Sequence, residues 1–159
     1  MTPELHRPLN TARIGTEETA VTVVATPAEC VALANRMQLP AVLALAVEFR
    51  MRREGRSVIA RGHLRARVTQ TCIISAEDFD ADVEERFRVR FVPAGTESND
   101  DDPESDDEIP YEGEMIDLGE EAAEQLALAL DPYPRMPGAA LPEAEAETET
   151  NPFAALRRT

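Results

Sequence analysis

The sequence predicts an α+β fold: a mainly antiparallel, strongly twisted sheet of about five or six strands with two helices packed on it, plus a flexible acidic loop and a C-terminal tail. Three observations carry this reading. Apolar and polar residues alternate with period two through long stretches between Ala41 and Val92. Short turn-forming sequences separate those stretches. Two capping sequences, Thr26-Pro27-Ala28-Glu29 and Asp117-Leu118-Gly119-Glu120, each open a stripe of apolar residues at helical spacing.

Residues 18–25, rich in Thr and Val, read as a strand. Thr26 then offers a capping hydroxyl, Pro27 the preset φ of a first helical position and Glu29 a carboxylate at the third, so a helix starts here and runs to about Gln38. Cys30, Leu33, Ala34 and Met37 share one face of it, and Cys30 is read as a core residue. In residues 41–53, Leu43, Leu45, Val47, Phe49 and Met51 take one parity, against Glu48, Arg50 and Arg52 on the other. Glu54-Gly55 centres a tight turn, and in residues 56–72 Val58, Ala60, Leu64, Ala66 and Val68 oppose Arg61, His63, Arg65 and Arg67. Residues 79–92 complete an antiparallel meander, with Phe79, Ala81, Val83, Phe87, Val89 and Phe91 against Asp80, Asp82, Glu84, Arg86, Arg88 and Arg90. Such a sheet has one oily face and one charged face.

Residues 95–107 hold seven acids with Ser, Asn and Pro and have too little apolar surface to offset the entropy of ordering, so residues 94–107 read as a flexible loop. Residues 109–116 return to strand composition. Leu118, Ala122, Leu126, Ala129 and Leu130 then trace a helix, which Pro132, Pro134 and Pro137 bring to an end. Residues 1–138 are expected to form one α+β domain. Residues 139–159 are expected to form a disordered tail, whose last motif includes Phe153 and Leu156.

The 159 residues carry 16 basic side chains, all arginine, and 31 acids, a net charge of −15. That sum is unevenly placed. Residues 1–90 balance 12 acids against 13 arginines, whereas residues 91–134 hold 15 acids and no base. No apolar run approaches the roughly 18 residues of a membrane span, and the opening residues lack the apolar core of a secretory leader. Cys30 and Cys72 are too few for a disulfide scaffold or a four-cysteine zinc site, which suggests a reducing, cytoplasmic setting. There is no phosphate-binding glycine loop, nucleophile elbow, His-Glu-x-x-His or dinucleotide fingerprint, and Asp100-Asp101-Asp102-Pro103-Glu104 lacks the alternating ligands of a calcium loop. Neither catalysis nor a metal or other cofactor is expected. His6 carries no signal, and His63, set among arginines, reads as a surface histidine or a phosphate contact.

Arginine is the informative polar residue. Its planar fork matches phosphate oxygens and keeps its charge. Seven arginines fall between residues 50 and 67 against one acid, Glu54. A turn centred on Glu54-Gly55 sets Glu48 opposite Arg61; a second turn near Ile74-Ser75 sets Arg67 opposite Asp82 and Arg65 opposite Glu84. This leaves Arg50, Arg52, Arg53 and Arg56, with Arg86, Arg88 and Arg90, as candidate contacts for RNA or another partner. A merely solvated charged face is the competing reading. The polar parity carries no aromatic residue for stacking, which argues against base readout of single strands. The acidic loop, with Phe153 and Leu156 as a docking tail, supports a different class of function, a protein-binding adaptor without RNA contact.

Several ordered segments resemble a known family: Gly62-His63-Leu64-Arg65-Ala66-Arg67-Val68-Thr69-Gln70-Thr71-Cys72, Phe87-Arg88-Val89-Arg90-Phe91-Val92-Pro93, Ile116-Asp117-Leu118-Gly119-Glu120, Leu128-Ala129-Leu130-Asp131-Pro132-Tyr133-Pro134-Arg135 and the terminal Asn151-Pro152-Phe153-Ala154-Ala155-Leu156. Together they are similar to the bacterial YceD family of large ribosomal RNA subunit accumulation proteins. Cys72, Ile116, Asp117, Leu118, Pro132 and Arg135 are the motif positions. The resemblance implies a non-enzymatic, cytoplasmic ribosome-biogenesis factor that supports accumulation of large-subunit ribosomal RNA, with that RNA or a basic ribosomal protein as partner. Relatives with further cysteines near these motifs suggest a metal role. Here Ile73, Ile74 and Ser75 follow Cys72 and residues 133–138 lack cysteine, so that role is not implied for this chain.

Overall fold

The structure, a computed structural model, describes residues 4–96 and 107–136. In chain order it comprises β1 (Pro8–Asn10), a 3-10 turn (Thr11–Arg13), β2 (Thr19–Val24), α1 (Pro27–Met37), β3 (Ala41–Glu54), β4 (Ser57–Thr71), β5 (Asp78–Pro93), β6 (Asp107–Tyr111), β7 (Met115–Asp117) and α2 (Leu118–Ala129). The main sheet has the order β2-β3-β4-β5-β6. Its first four strands are antiparallel, and β6 joins β5 in parallel. β1 and β7 make a separate antiparallel pair. The fold class is α+β as expected.

Period-two patterning places the core. Leu45, Val47, Phe49 and Met51 of β3 and Ala60, Leu64 and Val68 of β4 are at most 1% exposed, and α1 and α2 cover that face with Leu33, Ala122 and Leu126. The parity of β3 breaks at its start. A bulge between Val42 and Ala44 leaves Leu43 without a cross-strand partner and turns it outward, so Val42 takes the inward place that the alternation assigned to Leu43. The first hairpin also corrects the expected register. Its two loop residues are Gly55 and Arg56, with Gly55 at φ +64°, since glycine reaches this backbone region without a Cβ clash and suits the first position of a hairpin loop. Glu48 therefore lies opposite His63 and Arg61 opposite Arg50, two residues away from the expected pairing. A two-residue shift keeps every side chain on its face, which is why the burial pattern survived it. The second register holds as read, with Arg67 opposite Asp82 and Arg65 opposite Glu84.

Both helices start at their capping sequences. Thr26 Oγ1 accepts from the Glu29 amide at 3.2 Å while Glu29 Oε1 accepts from the Thr26 amide at 2.8 Å. Arg7 clamps the same carboxylate with two bonds of 2.7 Å, and chiefly this contact holds Glu29 down at about 2. Thr26→Ala is expected to cost about 1 kcal/mol, read as a lower urea midpoint with an unchanged slope.

Two features depart from the expected elements. The stretch 109–116 is two strands in different sheets, broken at Gly113, whose φ is +64°. The segment before residue 18 is structural: β1 pairs with β7, and Leu5 and Ile14 are at most 1% exposed. Most of the expected acidic loop (residues 97–106) and the expected tail lie outside the described residues.

Candidate functional site

The charged face of the main sheet spans β3, β4 and β5, and strand register sets its side chains in rows. Passing away from the first hairpin, the rows read Arg52–Ile59–Arg90, Arg50–Arg61–Arg88, Glu48–His63–Arg86, Ala46–Arg65–Glu84 and Ala44–Arg67–Asp82. The face is therefore basic at the hairpin end and acidic at the other, where Thr69 and Thr71 donate to Asp80 and Asp78 at 2.7 and 2.8 Å. Like charges set directly opposite one another destabilise a sheet. The Arg50–Arg61–Arg88 row is an arrangement that folding alone would not favour.

A few acids offset it. Glu18, at the entry to β2, bridges Arg61 at 2.5 Å and Arg50 at 3.5 Å, and those guanidinium groups keep its carboxyl below the usual range, Arg61 first. Glu48 accepts from Arg50 at 3.2 Å, and Glu54 contacts Arg52 at 3.1 Å and Arg90 at 3.8 Å. His63 Nε2 lies 2.6 Å from Glu84 Oε2, and this contact is the main reason that the Glu84 carboxyl is lowered, with Arg65 and Arg86 adding to it. These are exposed pairs that solvent screens, each worth little to folding. Glu48, Arg50, Arg61, His63, Arg86 and Arg88 line a shallow open concavity of about 890 Å³.

Of the expected contact residues, Arg50, Arg52, Arg86, Arg88 and Arg90 stand on this face. Arg61, which the expected register sets opposite Glu48, joins them. Arg53 does not: it has the parity of Met51, and its Nε and Nη2 donate to the carbonyls of Ile14 at 3.0 Å and Thr11 at 2.7 Å, fastening the N-terminal segment. Arg56 occupies the hairpin loop, where its carbonyl accepts from Tyr111 Oη at 2.6 Å. Phe153 and Leu156 lie outside the described residues.

The motif residues are structural in their contacts. Ile116 and Leu118 are buried. Between them Asp117 caps α2, its Oδ1 accepting from the amides of Gly119, Glu120 and Arg7 at 3.0, 3.2 and 2.8 Å. His6 Nδ1 lies 2.5 Å from Asp117 Oδ2, a role for which the sequence offers no signal. Burial alone would raise the Asp117 carboxyl, but the Arg7 amide and His6 outweigh it and leave it lowered. Cys72 is 1% exposed, and its Sγ accepts from the amides of Met136 at 3.3 Å and Ser75 at 3.4 Å, which bring the thiol down to about 7. The chain around Pro132 and Arg135 returns to this turn, with the Ile73 amide donating to the Pro134 carbonyl at 2.9 Å. Among the described residues, no group of three or more His, Cys, Asp or Glu is placed to hold a metal ion, and no helix is long and apolar enough to cross a membrane.

Comparison with known proteins places these observations in a family. No curated protein and no solved structure matches the chain. A family model described as large ribosomal RNA subunit accumulation protein YceD matches residues 60–158, a span that takes in most of β4, all of β5 and the Asp117 cap. The chain belongs to the YceD family, whose description ties it to accumulation of large-subunit ribosomal RNA.

Proposed function

We propose that this protein is a non-enzymatic, cytoplasmic factor that supports accumulation of large-subunit ribosomal RNA by contacting RNA phosphates through the basic end of its sheet. The Arg50–Arg61–Arg88 row carries this reading, with Arg52, Arg86 and Arg90 around it. An open, weakly concave surface of guanidinium groups fits a phosphate backbone, so recognition follows charge and shape. Replacing Arg50, Arg61 and Arg88 together by Gln is expected to weaken binding to a large-subunit RNA fragment at least about ten-fold and to flatten the dependence of log affinity on log salt by about 2. Unchanged affinity and slope in a folded variant would sink this reading. Crosslinking and pull-down from growing cells tests it in vivo, where recovery of large-subunit RNA is expected with the natural protein and not with the triple variant.

A second reading is favoured by acids that lie off the charged face of the sheet. Glu120 and Glu124 stand on one helix, with the Glu124 carboxyl raised by burial and by Glu120, and Glu112 and Glu114 lie exposed before it. These acids suit a basic ribosomal protein, with the acidic stretch and Phe153 and Leu156 as further docking elements. On this reading the arginine variant would keep its function, and deleting residues 97–106 would abolish it.

A further inference from the structure

The two edges of the main sheet are guarded unequally. β6 is five residues long and carries Asp107, Glu108 and Pro110, the usual protections against further strand pairing. β2, Thr-Ala-Val-Thr-Val-Val over Thr19–Val24, has neither charge nor proline and is composed of strand-favouring residues. Its hydrogen-bond phase follows from one contact. The Ala25 amide donates to the Leu45 carbonyl at 3.0 Å, so Val23 and Val21 also turn their polar groups to β3, while those of Ala20, Thr22 and Val24 point away from the sheet. Arg7 Nη2 reaches the Val24 carbonyl at 3.1 Å, leaving that oxygen one lone pair. No other hydrogen bond reaches the outward groups of these three residues among the described residues, and their side chains are exposed.

We infer that β2 pairs antiparallel with β2 of a second copy of this chain, joining two five-stranded sheets edge to edge. A two-fold axis at Thr22 sets Thr22 against itself and Ala20 against Val24 of the partner, so only small neutral side chains meet on the exposed face. It also carries Glu17 and Glu18 toward the start of the partner's α1, where the helix dipole favours negative charge. A basic ribosomal tail is a poorer occupant, because Thr19–Val24 carries no acid and the flanking Glu18 is already held by Arg50 and Arg61. Pairing would extend the charged face across both copies, with their β3 strands separated by three strand spacings, about 14 Å. The inference does not depend on RNA contact.

Sedimentation of the RNA-free protein over a wide concentration range is expected to show the mass rising from one chain to two. Hydrogen exchange at the Ala20, Thr22 and Val24 amides should slow as the dimer fills. Thr22→Pro removes an outward amide and leaves the β2–β3 ladder intact, and Thr22→Lys sets charge against charge across the axis; both should remain single chains. If proline disturbs folding, the lysine variant decides the result. A natural protein that stays monomeric, or a dimer that both variants retain, would overturn the inference. Amide protection that appears only on adding a ribosomal protein would assign the edge to that partner and overturn it equally.

Discussion

Phe49→Ala is expected to lower stability by about 3–5 kcal/mol, the largest loss from any single truncation on the oily face. Phe49 is fully buried near the middle of β3, and its ring meets that of Phe87 edge to face, with centroids 5.8 Å apart and planes at 78°. Such contacts add about 0.5–1.5 kcal/mol to the burial of the rings themselves. The residue between them in register is Gly62, where a Cβ would stand 2.0 Å from Cζ of Phe87. Glycine here makes room for one aromatic ring, and no β4 side chain at this position can fill the hole that Phe49 would leave. Urea unfolding should show the loss as a lower midpoint, and a loss below about 1 kcal/mol would contradict this packing. The same geometry makes Gly62 intolerant. Gly62→Ala should overpack by about 1–3 kcal/mol, and shortening Phe87 in the same chain should recover part of that cost, a non-additivity that independent sites would not show.

Period-two alternation reveals which way a side chain points and says much less about its cross-strand partner. β3, β4 and β5 were legible because fourteen to sixteen residues of alternation leave one face no choice but the core. The first turn is ambiguous in the sequence because Glu54-Gly55 and Gly55-Arg56 both contain the glycine, and the register depends on whether its positive φ falls first or second in the loop. That small difference decides the reading of the site. The expected register gives Arg61 to Glu48, when Arg61 in fact stands in a row with Arg50 and Arg88. Arg53 differs, since its odd parity, shared with Met51, places it away from Arg50 and Arg52 in the sequence itself. β1 and β7, of three residues each, take their strand form from pairing with one another, and neither is long enough to show a period. The parallel seat of β6 beside β5 is a tertiary choice with no local trace.

The charge distribution has a related lesson. Net charge hides this arrangement, because the sheet gathers Arg50, Arg52, Arg61, Arg86, Arg88 and Arg90 at one end of one face. Arg50 and Arg61 share Glu18, which arrives from β2, the strand whose far side is the open edge.

Glu121→Gln is expected to stabilise the protein by as much as about 3 kcal/mol at pH 8 and to change little at pH 4. Glu121 is 3% exposed on α2, and among the described residues only the Gln125 Nε2 donor, at 2.8 Å, is bonded to its carboxylate. Burial, followed by the repulsion of Glu124, Asp107 and Glu120, raises its carboxyl from 4.5 to about 7. The spacing gave a warning, since Glu121 follows Leu118 by three residues on the buried stripe. The sign follows from proton counting. Between pH 4.5 and about 7 the folded chain keeps a proton that the unfolded chain has lost, so stability falls as pH rises through this window and stays low above it. The carboxyls lowered by partners, Glu18, Glu29, Glu84 and Asp117, act in the opposite sense and at lower pH, where their ion pairs are lost on acidification. Glu124 is also raised and shares part of the window, so the comparison must be between natural protein and variant at each pH. Urea midpoints from pH 4 to pH 8 should separate steadily in favour of the glutamine variant, and parallel curves would show that Glu121 ionises in the folded chain as easily as in the unfolded one.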